Sequence, residues 1–114
     1  MIDLQTKDDV AALRALNDRL RQTGSGGRTV LTRGIAGLPT DVLSAVLRAV
    51  AAFNTFTPDN DPHSEHDCAG LDVHGHRVIW KIDYYDPDLA HHSDNPTDPN
   101  ITCRVLTIML ADEY

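Results

Sequence analysis

The stretch AGLDVHGHRVIWKIDYY, residues 69–85, decides the fold. Val78, Trp80, Ile82 and Tyr84 alternate with Arg77, Ile79, Lys81 and Asp83. A period of two with one apolar row is the pattern of a β-strand that covers a core on one side. The shorter run 69–73 precedes it and ends at His74-Gly75. Glycine enters the left-handed region freely and histidine tolerates it better than most residues, so this pair predicts a tight hairpin turn. Trp80, in the inward row, is expected to bury against a helix, because large aromatic side chains dominate small cores.

Working outward, residues 102–111 alternate Arg104, Leu106, Ile108 and Leu110 with Cys103, Val105, Thr107 and Met109. Both rows carry apolar residues, which predicts a strand inside the sheet. Asp86 to Asn100 holds three prolines and reads as irregular. On the other side of the hairpin, TPDNDPHSEHD (57–67) has no period and follows a helical pattern that Pro58 stops. That loop exceeds the usual connection length, and long loops that persist are commonly functional. Upstream, Val42, Leu43, Val46, Leu47, Val50 and Phe53 mark one face of a helix from Pro39 or Thr40 to Phe53. RTVLTRGI (28–35) reads as a short strand. Val10, Leu13, Leu16 and Leu20 stripe a first helix, opened by Thr6 with Asp9 in a capping pattern and closed by GSGG at 24–27. The order α-β-α-β-β-β predicts an α+β fold: two helices packed on one face of a small, largely antiparallel sheet of about four strands.

At 114 residues the chain makes a single domain, 1–114, with no linker and no repeat. A chain of this size buries roughly two-thirds of its unfolded surface, so its core needs neither metal nor disulfide. The formal net charge of −7 speaks against direct nucleic-acid binding. No apolar run reaches membrane-spanning length, and MIDLQTKDDV lacks the features of a secretory signal, so a cytoplasmic protein is expected. Cys68 and Cys103 fit that compartment as buried, unpaired thiols, with one disulfide as the alternative.

The charge is distributed unevenly. Residues 1–56 hold five acids and seven bases, whereas residues 57–114 hold twelve acids and three bases, a balance of −9. All six histidines lie between His63 and His92. Within this half, Asp59, Asp61, Glu65, Asp67, Asp83, Asp86, Asp88 and Asp94 form a candidate partner-binding set, provided that the two long loops share one end of the sheet. Spaced carboxylates can occupy a Lys/Arg groove built for phosphates. The plainer account is that they keep the domain in solution.

Two further constellations suit chemistry. HSEHDC (63–68) places His63, Glu65, His66 and Asp67 close enough to ligate a divalent ion, yet no paired ligand motif accompanies them, and hydrogen bonding within the loop explains them as well. Lys81, Asp83 and Tyr85 share one strand face and resemble parts of an acid–base site, although any solvent-facing strand looks alike. Neither carries a nucleophile with its base, so no catalytic residue, metal or cofactor is assigned.

FTPDNDPHSEHDCAG, VIWKIDYYDPDL and RVLTIMLADEY together resemble an uncharacterised bacterial domain family of plasmids and prophage-like regions, over roughly residues 13–114. In that family's usual pattern a glycine stands at the position of Ser64 and an aromatic residue at that of Cys68. The resemblance implies a mobile-element setting similar to that of small anti-CRISPR and anti-restriction proteins. It implies a non-catalytic inhibitor, monomeric or weakly dimeric, that binds the basic groove of a CRISPR effector or restriction complex through an acidic face. The alternative is a small metal-dependent or acid–base enzyme using the 63–67 loop and the 81–85 strand.

Overall fold

The computed structural model describes residues 7–114. Helix α1 spans Lys7–Thr23, strand β1 Arg28–Leu31, the short helix α2 Arg33–Ala36 and helix α3 Thr40–Ala52. Strands β2 (Cys68–Val73), β3 (His76–Tyr85) and β4 (Cys103–Leu110) follow, and the 3-10 turn η1 (Ala111–Glu113) comes directly after β4. The sheet order is β1-β4-β3-β2. β2–β3 and β3–β4 are antiparallel, and β1 lies parallel to β4 at the edge. The α+β class, the four strands and the interior position of β4 agree with the sequence reading, and the sheet is mixed.

The reading of 28–35 as one strand is corrected. The chain leaves the sheet after Leu31 and turns into α2, because the Glu113 carboxylate accepts from Thr32 Oγ1 at 2.6 Å and from the Gly34 N–H at 2.9 Å. A carboxylate on the free N–H groups of a helix start stabilises that start. These contacts, with the Leu110 N–H, hold the Glu113 carboxyl below the usual carboxylate range. The proposed Thr6 cap lies outside the described residues.

The inward row of β3 packs against the helices, with Val78, Trp80, Ile82 and Tyr84 buried. Trp80 is fully buried among Phe53, Phe56 and Arg21, as the alternation required. Helix α1 buries Leu13 and Leu20, but between and beside them it buries Asn17 and Arg21, while Val10 and Leu16 are only half-buried. In α3, Val46 and Val50 reach the core and Leu47 faces outward, so that stripe is narrower than read. His74 and Gly75 both adopt positive φ, +49° and +82°, and make the expected turn. Gly27 is required by packing, since a Cβ there would stand 2.4 Å from the Arg104 carbonyl oxygen and 2.9 Å from Leu20.

The cysteines differ from expectation in exposure: Cys68 is exposed and Cys103 half-exposed. They are free, and the register explains why. Cys68 pairs with Lys81 and Cys103 with Tyr85, on opposite sides of β3 and four residues apart along it. Strand spacing and rise then separate them by on the order of 15 Å, beyond disulfide reach. Among the described residues, no helix is long and apolar enough to cross a membrane.

Candidate functional site

β2 begins, β3 ends, and β1 and β4 begin at the same end of the sheet. The loop 53–67 and the loop 86–102 therefore share that end, which meets the condition set by the charge pattern. Asp59, Asp88 and Asp94 are exposed there, and Asp86 is half-buried. Asp86 accepts the Ala90 N–H at 3.0 Å, and that bond leads the effects lowering its carboxyl below the ordinary value.

Asp61, one of the candidate partner-binding carboxylates, does not face solvent. It is buried, and its Oδ1 accepts the His66 N–H at 3.2 Å while its own N–H donates to Thr57 at 2.8 Å. Asp61 closes the loop on itself; a buried carboxylate with backbone donors is a structural anchor. Ser64 and His66 take φ of +57° and +53° inside this closure. Helix α1 then holds the loop. Arg14 donates to the Ser64 carbonyl at 3.0 Å, and Asn17 Nδ2 donates to the Glu65 carbonyl at 3.0 Å. His66 Nδ1 meets Asp18 Oδ1 at 2.9 Å and Oδ2 at 3.1 Å. A carboxylate only accepts, so Nδ1 carries the proton in that pair. The His66 ring stacks on Phe56 at 3.7 Å, and its Nε2 stands 3.7 Å from Asp61 Oδ2.

Behind the loop runs a buried polar chain. Arg104 Nε donates to Asn17 Oδ1 at 2.9 Å, Asn17 Nδ2 also donates to the Tyr84 hydroxyl at 2.8 Å, and Tyr84 donates to Glu65 Oε2 at 3.2 Å. Arg104 Nη2 also donates to the Pro96 carbonyl, and the guanidinium lies 5.3 Å from the Tyr84 ring centre. Burial pushes the Tyr84 phenol far above the ordinary tyrosine range. Burial, then the neighbouring Asp67 carboxylate, raises Glu65; burial, with a contribution from Asp61, raises Asp67. Burial and the same carboxylates push the Cys68 thiol up, which opposes thiolate chemistry there.

The residues of the enzymatic alternative do not converge on one centre. His66 faces α1, whereas Lys81, Asp83 and Tyr85 lie on the sheet face opposite the buried row. Lys81 Nζ pairs with Asp83 Oδ2 at 2.8 Å, which raises the lysine. Asp67, Asp83 and Tyr85 do share a shallow cleft of about 300 Å³ with Ile82, Tyr84 and His92. His63 is exposed. Among the described residues, no group of three or more His, Cys, Asp or Glu side chains is arranged to hold a metal ion.

Of the polar residues that organise this end, Tyr84 and Arg104 are placed in strand rows by the sequence without a polar role, and Asn17, Asp18 and Arg21 are not singled out by it. A signal existed, since Asn17 and Arg21 follow Leu13 at helical spacing and Arg104 shares the inward row of β4.

The model of a family of proteins of unknown function, DUF3768, matches residues 31–113. The chain belongs to the DUF3768 family. The match takes in β1 from Leu31, both long loops and the β2–β4 meander, and it leaves α1 outside. In this DUF3768 chain, then, the segment that locks the 57–67 loop comes from outside the matched region. No curated protein and no solved structure matches the chain.

Proposed function

We propose that this DUF3768 protein is a non-catalytic binding module, an inhibitor of the anti-CRISPR or anti-restriction type. It engages a basic nucleic-acid-handling surface of a cytoplasmic defence complex through its acidic end. The observation that carries the reading is the shared end of the two long loops, where Asp59, Asp88 and Asp94 stand exposed. Charges fixed on a locked loop need no reordering on contact, which favours complementary docking over a flexible acidic tail. Asp61 holds the loop's shape, Glu65 and Asp67 are half-buried behind the surface, and Asp83 is paired with Lys81. The contact is accordingly assigned to Asp59, Asp88 and Asp94, with Asp86 beside them.

The alternative, an acid–base enzyme, is favoured only by the cleft that Asp67, Asp83 and Tyr85 share. Its volume lies at the lower limit of ligand pockets, and the Tyr84 hydroxyl and the Lys81 amine are both engaged within the protein.

The test is capture of purified CRISPR effector and restriction complexes at low and high salt. The triple variant Asp59→Lys, Asp88→Lys, Asp94→Lys is compared with a control reversed at Asp8 and Asp41, both checked for folding. Binding that falls steeply with salt and is lost only in the triple variant supports the reading. Binding indifferent to salt, or equal in both variants, overturns it.

A further inference from the structure

One cleft at this end of the sheet differs in sign from the surface around it. It opens where β1 and β4 begin, has a volume of about 460 Å³, and is lined by Gly26, Gly27, Arg28, Pro87, Pro99, Asn100, Thr102, Cys103 and Arg104. No acidic residue lines it, although the chain carries a net charge of −7. Of the acidic neighbours of its two prolines, Asp86 and Asp98 turn their carboxylates onto backbone N–H groups, those of Ala90 and Asn100, and Asp88 is exposed outside the lining.

Both arginines of the wall lack a carboxylate among the described residues. Arg104 is 1% exposed, and its guanidinium is held by Asn17, the Pro96 carbonyl and the face of Tyr84, all neutral groups. A buried cation usually has an anionic partner, because the low local dielectric makes its field strong and its desolvation costly. Burial accordingly pulls the Arg104 guanidinium below its ordinary value, with no carboxylate opposing that shift. Arg28 is exposed, forms no ion pair among the described residues, and stands at the first position of β1, immediately after Gly27. The Asn100 amide and the Thr102 hydroxyl add polar groups to the lining, and the prolines supply flat apolar walls.

We propose that this cleft is an anion-binding site, and that its ligand is a phosphoryl group. A guanidinium fork matches phosphate oxygens better than a point charge does. Arg28 makes the direct contact, and the uncompensated charge of Arg104 supports it through the cleft wall. The volume admits a nucleoside monophosphate, with Pro87 and Pro99 flanking the sugar and base, and it also admits free phosphate. The site uses none of the carboxylates of the acidic contact proposed above, although Asp86 and Asp88 of that contact flank its Pro87.

The experiment is a titration followed by backbone amide shifts, with inorganic phosphate and AMP as separate probes and chloride at matched ionic strength as control. Saturable shifts confined to Gly26, Gly27, Arg28, Asn100 and Thr102 with either probe, absent with chloride, are expected. Tighter binding of AMP assigns a nucleotide; equal affinities assign the phosphoryl group alone. Arg28→Ala, a substitution at an exposed position, is expected to weaken binding roughly tenfold while the melting temperature holds. Shifts that never saturate, that match those of chloride, or that persist unchanged in Arg28→Ala overturn the proposal.

Discussion

The guanidinium of Arg21 lies 5.1 Å from the centre of the Trp80 ring, deep in the core. Its Nη1 donates to the carbonyls of Val50, Ala51 and Phe53 at 2.8–3.0 Å, and its Nη2 to Asp18 at 3.0 Å. The last carbonyls of α3 have no partner within the helix and carry the negative end of its dipole. A cation from α1 thus finishes α3, and an aromatic cluster shields it from water. Phe56 lies 5.5 Å from the same guanidinium and stacks on His66, so the core and the loop anchor share one ring.

Replacing Trp80 separates volume from polarity. The indole N–H is buried without a hydrogen-bond partner among the described residues, so Trp80→Phe sacrifices no bond seen there and should cost about 1–2 kcal/mol, whereas Trp80→Ala should cost about 3–5 kcal/mol. Urea unfolding of the two variants measures both. Equal losses would mean that ring volume does not set the core's stability.

Asn17 is the only described side chain that bonds both Arg104 and Tyr84. Asn17→Ala leaves a buried guanidinium nitrogen unsatisfied and should cost about 2–4 kcal/mol. Tyr84→Phe removes one hydroxyl and leaves Asn17 Nδ2 its bond to the Glu65 carbonyl, so a loss of about 1–2 kcal/mol is expected. If the tyrosine variant proved the weaker of the two, the network would centre on Tyr84 rather than Asn17.

Stability should respond to Glu65 with a definite sign in pH. Its folded pKa, and that of Asp67, are raised, so the folded chain holds these protons after the unfolded chain has released them. Their contribution favours folding at acid pH and is lost as pH rises out of the ordinary carboxyl range. Glu113, whose folded pKa is lowered, works oppositely, and its contribution is lost as pH falls. Glu65→Gln should therefore raise the melting temperature at pH 7 and make little difference near pH 4. The same shift at both values would show that Glu65 ionises normally.

Ser64 occupies the left-handed region at φ +57°, where a Cβ is disfavoured. Ser64→Gly should stabilise by about 0.5–1 kcal/mol after the extra entropy of glycine in the unfolded chain is counted. Thermal melts test this directly, and a destabilised variant would mean that the serine side chain contributes more than the strain costs.

The β3 pattern, the His74-Gly75 turn and the interior place of β4 were legible because side-chain alternation is a local property that tertiary contacts reinforce. α2 was not, because RTVLTRGI is β-rich and only the distant Glu113 carboxylate bends it. The acidic loop was legible as a loop and as charge. Its inward carboxylate was not, since nothing local distinguishes Asp61 from Asp59; burial follows from the way His66 and α1 close over it. The burial of Arg21 and Arg104 was not legible because charged residues default to solvent, although both sit in phase with buried neighbours.

The bond from Arg104 to Asn17 joins residues 87 positions apart. The β2–β3–β4 meander closes through far shorter spans, and chain segments that meet locally assemble before those that must find each other across a long loop. As the chain leaves the ribosome, α1 emerges before the strands, yet it cannot complete its polar contacts until β4 is made. Its inward face, with Asn17 and Arg21 among Leu13 and Leu20, is poorly suited to premature burial in an apolar contact. A helix synthesised ahead of the whole sheet is thereby kept as the piece that docks after it.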